Sequence, residues 1–131
     1  MYTPAEIVVV DDDGISLTLI ASCLSKAGYE CRSFRDSSAV IPSCRNDPPD
    51  LFLLDLLMPD PDGIQLCSQI KIDPGLKDIP VIFLTSAEDS DQKVKAFGAG
   101  AVDYITKPIN AVELSLRIKT HLELSFARQE L

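Results

Sequence analysis

Carboxylates follow two of the short apolar runs in this 131-residue chain. Three aspartates, residues 11–13, come directly after the apolar run at 7–10, and Asp55 follows the run at 51–54. Carboxylates that crowd together repel one another, which raises their pKa values. One divalent cation would balance such a cluster, and a set of oxygen ligands favours Mg²⁺ over zinc. The spacing therefore predicts an acidic cation site wherever the fold brings these two segments together.

Two later apolar runs also end in polar residues. Thr85 and Ser86 follow the run at 81–84, and Lys107 follows the run at 102–105 after one threonine. The carboxyl ends of the strands in an open parallel sheet form the ligand crevice. If these runs are strands of such a sheet, the hydroxyls and Lys107 join the aspartates at one rim, where the lysine returns one positive charge.

A purely structural role for the aspartates stays open at this point. Asp55 sits within apolar residues 51–58 and is partly desolvated, which is unfavourable unless another group pairs with it. An aspartate at the end of a strand is also a common cap for the next helix or turn. Among the first three, Asp13 is the preferred helix cap, which leaves Asp11 and Asp12 to face a cation.

Five apolar runs rich in β-branched, aromatic or leucine residues are separated by segments of helix length. Such runs indicate strands buried on both faces, as in a parallel sheet. The helical spacing of apolar residues predicts five helices. Gly28 marks the end of the first helix, and Asn110 is the N-cap of the fifth. The second helix, at residues 37–46, is weakened by Pro42. Five strand–helix units predict one doubly wound α/β domain with right-handed crossovers. The runs are residues 7–10, 31–34, 51–54, 81–84 and 102–105, and the helix markers are Leu17, Ile20, Leu24, Ile64, Cys67, Ile70, Val94, Phe97, Leu114, Ile118 and Leu122.

Composition narrows the classes of function. The net charge of −8 argues against direct nucleic-acid binding, because phosphate binding needs a basic surface. No apolar run approaches the length of a membrane span, and the first residues lack the features of a signal peptide. The four cysteines include no C-x-x-C pair and His121 is the one histidine, so we expect no zinc site. Free thiols predict a cytoplasmic protein. The negative net charge is consistent with a cation site or with simple solubility.

Four segments, in this order and spacing, resemble the signature blocks of response-regulator receiver domains. They read VVVDDD at residues 8–13, LDLLMPDPDG at 54–63, TSA at 85–87 and GAVDYITKP at 100–108. The resemblance runs from about residue 6 into the fifth helix. It implies a flavodoxin-like, chemotaxis-receiver-like fold, with a parallel sheet of strand order 2-1-3-4-5 flanked by five helices. It also implies a phosphoacceptor switch of two-component signalling, supplied by a histidine kinase or phosphotransfer protein.

The resemblance implies a role for each rim residue. Asp55 would accept the phosphoryl group as a carboxylate nucleophile. Asp12 would bind Mg²⁺ directly, Asp11 directly or through a water, and Asp55 together with the carbonyl of Leu57 would complete the protein ligands.

Three further residues of the resemblance act on the phosphoryl group or respond to it. Lys107 would neutralise charge on the phosphoryl oxygens and Thr85 would hydrogen-bond one of them. Tyr104 would be the switch aromatic, packing inward when the Thr85 hydroxyl moves; a surface tyrosine that fills a gap beside the last strand is the alternative. The resemblance also implies a cis peptide bond between Lys107 and Pro108.

Two other functions use similar residues. An aspartyl-phosphate phosphatase would need a second aspartate two residues after the nucleophile, where this chain has Leu57, and a cap domain to enclose its substrate. A degenerate receiver that only binds partners usually loses the acceptor, an acidic residue or the lysine, all of which are present here. We therefore predict a signalling domain that catalyses only its own phosphorylation and dephosphorylation.

The C-terminal segment predicts where the signal goes. A helix over residues 110–129 would be roughly 30 Å long, which exceeds what strands this short can cover. Leu122, Leu124 and Phe126 would then be exposed apolar residues near its tip. We predict one domain over residues 1–131, with a core at about 6–122 and residues 123–131 as a projecting helix end or linker to an output module. The fourth helix, the Tyr104 strand and the fifth helix would contact that module or a dimer partner; a frayed tail is the alternative.

Overall fold

The predicted sheet is present in the computed structural model, which describes residues 3–59, 61–86 and 90–129, with the backbone alone at 90–93. All four strand pairings are parallel, and the strand order is β2-β1-β3-β4-β5, as predicted. Ala87 and residues 130–131 lie outside the described residues. The strands are β1 (Glu6–Val10), β2 (Glu30–Phe34), β3 (Leu51–Asp55), β4 (Val81–Thr85) and β5 (Asp103–Thr106).

Five α-helices connect and follow these strands. The second predicted helix is a 3₁₀ turn, Ser37–Ala39, followed by a short α-helix that begins at Val40. Pro42, which was predicted to weaken a helix over residues 37–46, lies in the first turn of that α-helix, and the segment is divided into two short pieces instead of forming one continuous helix. The helices are α1 (Gly14–Lys26), α2 (Val40–Arg45), α3 (Gly63–Ile72), α4 (Ser90–Gly98) and α5 (Ala111–Gln129).

Two apolar layers enclose the sheet. One contains α1 and α5, with Leu17, Ile20 and Ile118 buried on the same side as Val9; the other contains α2, α3 and Ala96 of α4. The strands β3 and β4 are buried throughout, and so is β1 beyond its first residue. Burial on both faces was wrongly predicted for β2 and β5, which are partly exposed because they form the two edges of the sheet.

Helix caps place the helix starts beside the strand ends. Asp13 accepts a hydrogen bond from the N–H of Ile15 and caps α1, as predicted. Asn110 accepts one from the N–H of Glu113 and caps α5, which was also predicted. Asp62 caps α3 in a reciprocal capping box. Each cap satisfies backbone donors that would otherwise be unpaired at a helix start.

The two late helices differ from the sequence expectations in which residues they bury. Val94 and Phe97 mark α4 correctly, but their side chains are 70% and 47% exposed, and Ala96 faces the core. Leu122 was expected near an exposed tip and is buried in the α5 layer, whereas Leu124 and Phe126 are exposed. Within the described part of the chain, no helix is long and apolar enough to cross a membrane.

Candidate functional site

Three carboxylates meet at the carboxyl ends of β1 and β3. These strands are neighbours, with Val10 paired to Leu54, so Asp11 directly after β1 lies beside Asp55 at the end of β3. One oxygen from each of Asp11, Asp12 and Asp55 lies within 4.8 Å of the others. Asp11 is completely buried and Asp55 is 8% exposed. The two aspartate segments of the sequence therefore form one cluster, as predicted.

Lys107 reaches into this cluster from the end of β5. Its ammonium lies 3.0 Å from Asp11 Oδ2 and 3.5 Å from Asp55 Oδ2. The backbone N–H of Lys107 donates to the Thr85 carbonyl at 2.7 Å, and the bond to Pro108 is cis, as predicted. Burial opposes the lysine charge, but the hydrogen bond to Asp11 and the charge of Asp55 outweigh it, so the pKa of Lys107 is raised.

One lysine does not neutralise the cluster. Burial, and then the negative charge of Asp11, raise the pKa of Asp55 from 3.8 to about 6, although Lys107 acts in the opposite direction. A carboxyl with a raised pKa lies in a surrounding that disfavours its ionised form. A further positive charge at the site, beyond that of Lys107, would therefore favour the ionised form of Asp55.

Backbone N–H groups hold both buried carboxylates in place. The N–H of Asp13 donates to Asp11 Oδ1 at 2.9 Å, and the N–H of Leu57 donates to Asp55 Oδ1 at 3.3 Å. In each case the other oxygen is the one that faces Lys107. Because α3 is capped by Asp62, Asp55 does not serve as its helix cap, but its bond to the Leu57 N–H does cap the turn after β3, which is the other structural role that the sequence left open.

The loop after β3 begins at the same rim, and Leu57 is its second residue. Within the described residues, the carbonyl of Leu57 accepts no hydrogen bond, while its side chain is exposed. The start of α3 presses on this strand end, because a Cβ on Gly63 would overlap the carbonyl oxygen of Asp55. Gly63 thus permits a close approach that sets the position of Asp55 and of the loop after it.

Thr85 and Tyr104 lie on the neighbouring strands β4 and β5. Thr85 is the last residue of β4 and is 2% exposed. Tyr104 is partly buried, and its ring meets the ring of Phe97 edge-on at a centroid distance of 5.9 Å. The predicted switch aromatic therefore contacts an exposed residue of α4, which connects β5 to the outer surface of that helix.

Sequence reasoning missed Arg35, at the end of β2. Its guanidinium donates two hydrogen bonds to the carbonyl of Asp12, at 3.0 and 3.3 Å, and lies against Gly14. These bonds hold the backbone that presents the Asp12 carboxylate. The available signal was its position directly after an apolar run, which places its backbone at the same rim as the other polar strand-end residues.

A second charged group was also missed, on the β5–α5 surface. Arg117 makes two hydrogen bonds of 2.8 Å to the carboxylate of Asp103, and His121 Nε2 lies 3.0 Å from the same group. Burial acts against ionisation of Asp103, but the bonds to Arg117 and His121 prevail and lower its pKa. This network ties the strand that carries Tyr104 to α5.

The rim combines a cluster of three carboxylates with a lysine. Comparison with known proteins agrees with this arrangement: the response regulator receiver domain family matches residues 7–119. The chain belongs to this family and is a receiver domain of two-component signalling, as the strand-end motifs predicted.

Individual relatives give the same result. The chain is 39% identical, over 88% of its length, to the phosphate regulon transcriptional regulatory protein PhoB of Pseudomonas aeruginosa. It superposes with a TM-score of 0.87 on a CheY-like receiver domain protein of Methanospirillum hungatei, at 28% identity, covering 96% of this chain and 99% of that one. The receiver domain of the sensor histidine kinase PA1611 of Pseudomonas aeruginosa has magnesium coordinated in its active-site cleft. Its TM-score with this chain is 0.86 at 25% identity, covering 92% of this chain and 99% of that one.

The curated relatives are longer than this chain. It spans 51% of the PhoB protein and 28% of the response regulator PleD of Caulobacter vibrioides. The family assignment therefore applies to the receiver domain, and the sequence beyond it differs in length between relatives.

Proposed function

We propose that this domain accepts a phosphoryl group on Asp55, with Mg²⁺ bound by Asp11, Asp12, Asp55 and the Leu57 carbonyl. The observation that carries the proposal is the convergence of three carboxylates within 4.8 Å beside Lys107. The donor set fits the ion, because every group is a hard oxygen ligand, and a cation would offset the burial and the Asp11 charge that raise the pKa of Asp55. The magnesium named in the PA1611 receiver structure supports the same choice. When bound, the ion supplies charge that lets a phosphoryl group approach the carboxylates.

Asp55 is better placed to be the acceptor than its two neighbours. Asp11 is completely buried and is paired with Lys107 at 3.0 Å, so an incoming group cannot reach it. Asp12 lies on the loop after β1 and is the most open of the three. Asp55 combines restricted exposure with a fixed orientation, since the Leu57 N–H holds one oxygen and leaves the other towards the rim.

The transfer requires positioning and charge more than covalent chemistry. A carboxylate oxygen of Asp55 forms a bond to phosphorus as the P–N bond of a phosphohistidine in the partner breaks, and the imidazole nitrogen keeps the electron pair. Lys107 stabilises the phosphoryl oxygens from the Asp11 side, and the Thr85 hydroxyl donates to one of them. The phosphodonor is a histidine kinase or phosphotransfer protein. The four cysteines are free thiols, which supports a reducing, cytoplasmic setting for this exchange.

The output surface that we propose consists of α4, β5 and α5. Tyr104 follows the movement of Thr85 and shifts against Phe97, whose ring it already meets. Through Asp103, the same strand is bonded to Arg117 of α5. The partner is an output module that follows residues 123–131, or a second receiver, since PhoB is a transcriptional regulatory protein of which this chain spans 51%.

Labelling with a small phosphodonor tests the acceptor. Incubation with acetyl phosphate and Mg²⁺, followed by intact mass spectrometry, should show one added phosphoryl group that hydroxylamine removes. Omission of Mg²⁺ should abolish it. Asp55→Asn should remain unlabelled, whereas Asp13→Asn should be labelled normally, because asparagine caps a helix about as well as aspartate. Labelling of the Asp55→Asn protein at the parental level contradicts the proposal.

The same samples separate the two alternative functions. An aspartyl-phosphate phosphatase would turn over a small phosphate ester repeatedly, and we expect no such turnover. A degenerate receiver would gain no phosphoryl group from acetyl phosphate or from a phosphorylated histidine partner, with or without Mg²⁺.

A further inference from the structure

A cavity of about 470 Å³ opens at the end of the sheet opposite the aspartate rim. Its apolar wall is formed by Pro80 and Val102, which directly precede β4 and β5 and therefore lie at the amino ends of these strands. The polar wall comes from the last turns of α3 and α5 and from the loop before β4. Its polar members are Lys71, Lys77, Asp78, Ser125, Arg128 and Gln129.

The cavity carries more positive than negative charge. Lys71, Lys77 and Arg128 line it against the single carboxylate of Asp78, which leaves a net charge of about +2 in a chain of −8. In the part of the chain that the structure describes, none of the three cations has a carboxylate within 4.0 Å. This is a local cationic site in an acidic protein.

Lys71 is the most constrained of the three cations. Its ammonium donates to the carbonyls of Ile79 at 2.7 Å and Lys77 at 3.1 Å, so it is held at the cavity wall. Burial lowers the pKa of Lys71, and the nearby charge of Arg128 lowers it further. The charge of an anion in the cavity would act in the opposite direction and favour the ionised lysine.

Helix dipoles explain only part of this arrangement. Lys71 and Arg128 lie in the last turns of α3 and α5, where a positive charge is favourable in any protein. Lys77 lies in the loop before β4, so a helix dipole does not account for its position. The dipole argument also says nothing about Ser125, a neutral residue on the same wall.

Ser125 adds a hydroxyl group to the wall of the cavity. It is 3% exposed, lines the cavity and makes no side-chain hydrogen bond to any described residue. Thr120 of the same helix differs, since its hydroxyl donates to the carbonyl four residues earlier. Among the described residues, the one buried side-chain polar atom without a partner is Arg32 Nε, so the Ser125 oxygen keeps access to the cavity and is available to a ligand there.

We infer that this cavity binds a phosphate group, free or carried by a small molecule. A tetrahedral oxyanion offers enough acceptor oxygens for the Ser125 hydroxyl, the Arg128 guanidinium and the lysine ammonium groups together. The cavity is larger than one phosphate needs, and the Pro80–Val102 wall leaves space for an attached apolar or planar body. The site is separate from the proposed phosphorylation rim, at the other end of the parallel strands.

NMR titration of the intact chain tests the site. Inorganic phosphate and adenosine 5′-monophosphate are added in separate experiments, in EDTA so that the metal-free aspartate rim repels both. We expect saturable shifts at residues 77–80, 100–102 and 125–129, with a dissociation constant below about 10 mM. Tighter binding of the nucleotide would identify a carried phosphate, and equal affinities would identify free phosphate; either supports the site.

Variants decide whether the shifts come from this site. Arg128→Ala should weaken binding about tenfold, and Ser125→Ala should weaken it several-fold, because each removes one hydrogen bond to an anion. Lys77→Ala changes an exposed side chain and gives the same test without risk to α5. Lys119→Ala, which removes equal charge from another face of α5, should bind as the parent does. Unsaturable shifts, unchanged affinity in the cavity variants, or an equal loss in Lys119→Ala would each overturn the inference.

Discussion

Neutralising Asp55 should stabilise the metal-free domain, and the gain should depend on pH. Burial and the charge of Asp11 raise the pKa of Asp55 from 3.8 to about 6, so the folded state binds a proton there more tightly than the unfolded chain does. The contribution of Asp55 to stability therefore falls as the pH rises from about 4 to about 6. Above that window the ionised carboxylate imposes its full penalty, and Asp55→Asn removes it.

The size of the effect follows from the pKa difference. A shift of about two pKa units corresponds to about 3 kcal/mol of unfolding free energy, which is an upper limit for the substitution. We expect a gain of about 1–3 kcal/mol at pH 7.5, or roughly 5–10 °C in melting temperature for a domain of this size. At pH 4 the gain should vanish, because Asp55 is then protonated in the folded state.

Thermal unfolding followed by circular dichroism measures this prediction. Melting temperatures are recorded from pH 4 to pH 8 in EDTA and again with Mg²⁺. The parent should gain stability from Mg²⁺ by mass action, and Asp55→Asn should gain little. Asp13→Asn, on the same rim but outside the cation cluster, should show no gain at pH 7.5. Parallel pH curves for parent and Asp55→Asn, or a less stable Asp55→Asn protein at pH 7.5, would refute the reasoning.

Three other substitutions probe the supports of the site. Gly63→Ala places a Cβ 2.9 Å from Leu56 Cα and against the Asp55 carbonyl, so it should lower the unfolding free energy by about 1–3 kcal/mol in urea titrations. An unchanged midpoint of the urea transition would show that α3 can move away freely. Arg35→Ala frees the Asp12 carbonyl and should weaken Mg²⁺ binding about tenfold, with Arg35→Lys intermediate. The Mg²⁺ dependence of the melting temperature measures this effect. Equal Mg²⁺ affinity in the parent and both variants argues against a role of Arg35 in positioning Asp12. Asn110→Ala removes the cap of α5 and should cost about 1 kcal/mol in urea titrations, while Asn110→Asp should be neutral.

The rim was predictable because one rule of sheet geometry connects distant segments. Asp11, Asp55, Thr85 and Lys107 each end or follow an apolar run, and parallel strands bring their carboxyl ends to one edge. No knowledge of packing was needed to place them together. The caps Asp13 and Asn110 were predictable for a similar reason, since an N-cap depends on the backbone of its own next few residues.

Other features depend on neighbours that no local pattern names. Whether β2 is half-exposed depends on its position at the edge of the sheet, and its apolar residues look the same in either position. Val94 and Phe97 have helical spacing, but the face that α4 buries is set by the strands beneath it. Arg35 became a partner of Asp12 only through contact between two loops that are 23 residues apart.

The chemistry of this protein thus follows from residue types at strand ends, whereas its electrostatic tuning follows from contacts across the fold. The amino-acid order alone specifies the strands, the aspartates, the lysine and the family. The burial of Asp11, the raised pKa of Asp55 and the unpaired hydroxyl of Ser125 come from long-range packing. Burial and charge act through the distance between groups in space, and that distance exists only once the chain has folded.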